Sequence, residues 1–199
     1  MKKIFLSLFF VVGFLVSLGS TSSVSAASID ITNSNDPTVE ISDPMSAEEI
    51  IRDYADNQDV TYDEAENALF PEGSSMSTYD ISPYAINYRT LKKTLPNSAG
   101  FVYFYCQTDE SSGSFRAINK IMNAGYSSGS KIYAGSFYYH LPDPNKINFI
   151  LNGHLYNTGT TTTSGSGSVT VGKSFTGTIG ISNTSSYYKA LYFNSSLTF

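Results

Sequence analysis

The chain has 199 residues, 41% hydrophobic, 14% aromatic and 15% charged, with one Cys, two His and no Trp. That is enough apolar material for a compact core, and one Cys excludes both a disulfide framework and a Cys-rich metal site. Two His residues leave little for His-based metal chemistry, so neither a metal nor a cofactor is expected. The net charge of −5 is unevenly placed. Between Ala27 and Asp80 fourteen acids stand against Arg52 alone, giving −13. From Ile81 onward nine Lys and Arg stand against Asp109, Glu110 and Asp143, giving +6; Lys2 and Lys3 supply the remaining +2.

Residues 1–26 have the form of a secretory signal. Lys2 and Lys3 precede an apolar stretch from Ile4 to Leu18, and a small-residue run ends in Val24-Ser25-Ala26. The apolar stretch is shorter than the roughly 20 residues a spanning helix needs. Cleavage after Ala26 and release of an extracellular product are therefore expected, and the style of the leader points to a bacterial source. Residues 27–45 hold the brief alternating runs IDIT and TVEI among Ser, Asn, Asp and Pro, and read as flexible.

Residues 46–70 read as an acidic helical hairpin. Ser46 with Glu49, and Thr61 with Glu64, are two capping boxes. Ile50, Ile51, Tyr54 and Ala55 give the first helix an apolar stripe, and Ala65, Ala68, Leu69 and Phe70 give one to the second. Pro71 stops it. So short a hairpin cannot stand alone and must dock on something. Residues 71–99 read as a linker, with a basic stretch at Arg89, Lys92 and Lys93.

From residue 100 to 199 the pattern has period two. FVYFYCQT, KIYAGSFYYHL, KINFILNGHLY, SVTV, SFTGTIGIS and YYKALYF read as strands, and Phe115 to Met122 suits either a helix or a strand. The expected fold class is mainly β, an antiparallel sandwich or barrel preceded by the acidic hairpin.

Chemistry-bearing residues are few. Cys106 shares a strand face with Val102 and Phe104 and reads as buried and inert. A four-residue turn at Pro142 to Asn145 puts Leu141 opposite Lys146 and Tyr133 opposite His154. In that register His140 and His154 lie far apart on opposite faces and cannot share a metal. One face then carries Tyr133, Tyr139, Asn148, Asn152 and His154, a set suited to sugar or peptide recognition by ring stacking and amide bonds. Ile147, Phe149, Leu151 and Leu155 form the core face with Tyr138, Ala134 and Ile132.

Residues 165–181 alternate apolar and small polar residues. A three-residue turn at Gly172 to Ser174 makes a hairpin with Val169, Val171, Phe175, Ile179 and Ile181 on one side, the look of a membrane-inserting β-hairpin, although each arm is short for a bilayer. No phosphate loop, dinucleotide fingerprint, hydrolase elbow or EF-hand is present, and no catalytic constellation emerges.

The leading expectation is a secreted, non-enzymatic binding module. Its basic, Tyr-rich β-domain would engage a cell-surface glycan, a cell-wall polyanion or a protein, with the acidic segment as an electrostatic cover. No nucleic-acid partner is expected. The alternative is a secreted pore-forming or bacteriocin-like toxin acting on a membrane through the 165–181 hairpin. A third reading is an extracellular matrix or structural protein whose strands associate edge to edge.

Overall fold

The structure, a computed structural model, describes residues 36–71, 86–112, 115–157, 160–164, 167–182 and 186–199. The expected leader at residues 1–26, residues 27–35 and residues 72–85 of the expected linker lie outside the described residues. In chain order the elements are β1 (Val39–Ile41), α1 (Ala47–Gln58), α2 (Tyr62–Leu69), β2 (Ile86–Thr94), β3 (Phe101–Ser112), β4 (Phe115–Ser127), β5 (Ile132–Asp143), β6 (Lys146–Tyr156), β7 (Thr160–Ser164), β8 (Val169–Thr170), β9 (Ser174–Ser182) and β10 (Tyr187–Thr198).

The strands form two five-stranded antiparallel sheets, ordered β1-β2-β3-β4-β8 and β10-β6-β5-β9-β7. Alternation along each strand sends one set of side chains inward. Val102, Phe104 and Cys106 of β3 meet Phe137, Tyr139, Ile147, Phe149 and Leu151 of the second sheet in one core. The Phe104 ring is centred 6.1, 6.0 and 6.0 Å from those of Phe137, Tyr139 and Phe149. The mainly β antiparallel sandwich is the observed fold class. Cys106 is fully buried, and burial pushes its thiol up.

The helices cover the other face of the first sheet. Both capping boxes close: Ser46 and Thr61 each accept from the backbone N–H of the glutamate three residues on, whose carboxylate accepts in return. Ile50, Ile51, Ala65 and Leu69 pack on Tyr88, Tyr105 and Met122 in a second apolar cluster. Full burial of each large aliphatic chain there contributes about 1.5–3 kcal/mol. Among the described residues no carboxylate of α1 or α2 forms an ion pair with a cation of the sheets. Glu48 pairs with Arg52 of its own helix, and Asp53 accepts from the Thr90 hydroxyl at 2.8 Å. Apolar contact, not charge attraction, holds the hairpin down.

Charge attraction works elsewhere. Residues 36–41, expected to be flexible, carry β1, whose Val39 and Ile41 are buried in the main core. Residues 86–94, expected within the linker, carry β2. The three basic residues that made this stretch look solvated are all partnered: Lys93 with Asp36, Lys92 with Glu40 at 3.2 Å, and Arg89 with Glu110 through two bonds of 2.6 Å. Phe115 to Met122, which suit either a helix or a strand in the sequence, lie in the strand β4.

Two expected registers are corrected. Between β5 and β6 a bulge sets Leu141 and Pro142 opposite Ile147, and a two-residue turn, Pro144-Asn145, joins Asp143 to Lys146. Pro142 has no N–H to give the ladder, and the bulge accommodates it. Tyr133 therefore faces Leu155, not His154, and this one-residue slip exchanges the faces of β5. The expected hairpin at 165–181, of which residues 165–166 lie outside the described residues, does not form over its described part. Val169 pairs with Ile121 in the first sheet, while Phe175 pairs with Tyr139 in the second. The chain crosses between sheets at the turn after Thr170, where Gly172 has a φ of 78°. Val169 is buried, Phe175, Ile179 and Ile181 are half-buried in the sandwich, and Val171 is exposed. Local alternation says which residues share a face, but not which sheet receives the strand.

Candidate functional site

The free side of β4 lies along a groove of about 580 Å³. The β4 ladder with β8 ends at Ile121, so residues 124–127 pair only with β3 among the described residues. One wall is the helix side, formed by Tyr54, Asn57 and Gln58 of α1 with Tyr103 and Tyr105 of β3. The other is the open side of the sandwich, formed by Tyr126, Tyr133, Tyr139 and Phe175.

Small residues make the space. A Cβ on Gly125 would lie 2.1 Å from the Tyr103 hydroxyl, so the ring can lie flat across β4 only because position 125 is glycine. Gly135 and Gly153 face each other across β5 and β6, and a Cβ at either would run into the Tyr133 ring or hydroxyl.

The rings brace one another. Tyr105 stands edge-on to Tyr54 at 4.9 Å and to Tyr103 at 5.7 Å, Tyr126 edge-on to Tyr133 at 5.0 Å, and Tyr139 lies 5.5 Å from Phe175. Their hydroxyls are directed. Tyr103 donates to Gln58 Oε1 at 3.0 Å, Tyr133 to the Ser136 carbonyl at 2.7 Å, Tyr139 to the Gly167 carbonyl, and Tyr126 to the Ala99 carbonyl. Burial pushes Tyr103, Tyr133 and Tyr139 up to about 12, and Tyr54, Tyr105 and Tyr126 rise for the same reason. All six stay neutral at any physiological pH, as stacking surfaces and hydrogen-bonding groups.

Charge enters at the rim. Lys92 sits 4.5 Å over the Phe101 ring, and Lys131 lies 4.6 Å over the Tyr188 ring and donates to Asn157 Oδ1 at 2.8 Å. The described groove lining includes no carboxylate, imidazole or thiol. Among all described residues no cluster of three or more His, Cys, Asp and Glu could hold a metal ion, and no helix is long and apolar enough to cross a membrane.

The five residues expected to share a ligand face are divided. Tyr133 and Tyr139 point inward and line the groove. Asn148, Asn152 and His154 lie on the outer face of the second sheet, Asn148 in a shallow depression with Tyr138, His140 and Ile150. His140 and His154 thus share a face, contrary to expectation, but six strand positions, about 20 Å, keep them from a common metal. Tyr54, Tyr103, Tyr105, Tyr126 and Lys131 were missed. The signal for Tyr103 and Tyr105 was present: FVYFY carries large residues in both parities, which marks a strand covered on both faces. Comparison with known proteins adds no relative: no family model, curated protein or solved structure matches this chain.

Proposed function

We propose that the chain is an exported, non-enzymatic binding protein whose groove takes an anionic glycan of the cell surface or cell wall. The observation that carries this reading is the composition of the groove: neutral tyrosines, the amides of Asn57 and Gln58, and Lys92 and Lys131 at the rim, with no described acid, imidazole or thiol in the lining. Sugar C–H faces stack on rings, sugar hydroxyls exchange hydrogen bonds with phenols and amides, and a carboxylate or phosphate on the glycan meets the Lys131 ammonium, the Lys92 ammonium being paired with Glu40. Most glycosidases cleave between two carboxylates, and the described lining offers none. In this reading α1 is a wall of the site, with Tyr54, Asn57 and Gln58 as contact residues, and no longer a removable cover.

Affinity electrophoresis of the secreted protein in gels holding polygalacturonate, a neutral glucan or poly-glutamate tests the proposal. Retardation by polygalacturonate that weakens with salt, with little by the other two, is the expected result. Equal retardation by poly-glutamate would reduce the interaction to bare charge and overturn the glycan reading. Retardation by none of the three would overturn it too.

A further inference from the structure

Resting on that reading, we infer that the ligand is a polymer chain and not a single sugar: the groove continues over Lys131 onto a tyrosine platform at one end of the second sheet. Tyr187, Tyr188 and Tyr192 are 58%, 50% and 65% exposed, and all three lie on β10, an edge strand of that sheet. Bare aromatic rings on a strand that pairs on one side only, among the described residues, invite association and are normally suppressed unless something binds there.

The rings are held in place. Tyr187 lies 5.7 Å from the His154 ring and stands edge-on to Tyr156 at 6.2 Å, and Tyr192 is opposite Asn152 in the ladder. A register shift between Tyr187 and Lys189 takes Tyr188 out of the ladder, where Lys131 and Lys189 approach its ring to 4.6 and 5.7 Å. Asn157 ties this end together. It accepts from Lys131 and donates to the Ser186 hydroxyl at 2.9 Å, just before β10 begins. Lys131 is thus a groove-lining residue and a platform residue at once.

Charge favours the same occupant. Lys131 and Lys189 flank the platform. The three acids beyond residue 80 stand elsewhere: Glu110 on Arg89, Asp109 opposite Ile86 in the first sheet, and Asp143 at the far end of β5. An anionic polysaccharide emerging from the groove would meet a cation at Lys131 and then fresh stacking surfaces, with Asn152 and His154 beside them for its hydroxyls. Two of the outer-face residues singled out in the sequence thereby serve the same ligand as Tyr133 and Tyr139, from the opposite side of the sheet.

Calorimetry with galacturonate dimer and octamer, on the full secreted chain, tests this. The octamer is expected to bind about tenfold more tightly than the dimer. The double variant Tyr187→Ala/Tyr188→Ala should lose about tenfold for the octamer and nothing for the dimer, whereas Gln58→Ala in the groove should weaken both. Both tyrosines are half exposed or more, so an unchanged melting curve is expected to confirm folding. Equal affinity for the two lengths, or an octamer affinity untouched by the double variant while Gln58→Ala still weakens both, would overturn the extension and leave the groove reading standing. Failure of both lengths to bind would overturn both. Sedimentation showing a wild-type dimer that the double variant abolishes would assign the platform to self-association and overturn the inference.

Discussion

The two faces of β3 present the same ring-rich sequence to two different environments. Inward, Val102, Phe104 and Cys106 are completely buried between the sheets and carry no group that needs water. Outward, Phe101, Tyr103 and Tyr105 line the groove beneath α1, and the tyrosine hydroxyls there have the amides of α1 within reach. Where tyrosine does enter the sandwich, as at Tyr133 and Tyr139, its hydroxyl ends on a backbone carbonyl. Phenyl rings fill dry space, and phenols stand where a partner for the oxygen is at hand. The inner face therefore sets stability, while the outer face couples stability to the open groove.

The largest test of that division is Phe104→Ala. It removes a fully buried ring that meets three others and should cost about 3–5 kcal/mol in denaturant unfolding. A loss below about 1 kcal/mol would mean that the inter-sheet core is looser than its packing implies.

Next is Ile51→Ala on α1, which should cost about 2–4 kcal/mol and reduce hydrogen-exchange protection in the helices more than in β5 and β6. In the wild type, salt near 1 M should leave that protection in place, because apolar contact does not screen. Loss of protection at high salt would restore charge attraction as the force that holds the hairpin.

The smallest effect concerns the ion pairs between β1 and β2. The Lys93 ammonium beside Asp36, helped by Thr38, holds its carboxyl at about 2, against an ordinary 3.8. A folded-state value below the ordinary one adds stability above pH 3.8, and that stability is lost as pH falls toward 2. Unfolding midpoints should be flat from pH 7 to about 5 and fall below about 4, and Asp36→Asn should make the acid limb shallower. An unchanged limb would assign it to other carboxylates. Glu49, held low by its bonds to Ser46, and Glu110, which burial pushes up but the Arg89 and Thr108 bonds and the nearby Arg89 and Arg116 charges together bring below its ordinary value, are the first to examine.

Much of this architecture was readable before any coordinates. Both capping boxes were visible because a cap is a local device spanning four residues. The strands β3, β6 and β9 were visible because alternation is local too. β2 was missed because Arg89, Lys92 and Lys93 resemble a solvated stretch until Glu110, Glu40 and Asp36 arrive from distant parts of the chain. The ligand set was split by a single bulge at Leu141-Pro142, since a period of two turns a one-residue error into an exchange of faces. Of the missed groove residues, Tyr126 and Lys131 gave no local sign, because only the end of the β8 ladder exposes the edge they line.

The amino-acid order by itself determined the helical hairpin, most of the strands and the separation of acidic from basic residues, all of which depend on neighbours within a few positions. Tertiary structure alone decided which sheet each strand joined, which face each tyrosine took and which acid met which base. Those outcomes turn on loop closure and register between segments far apart in the chain, and a local pattern is nearly indifferent to them.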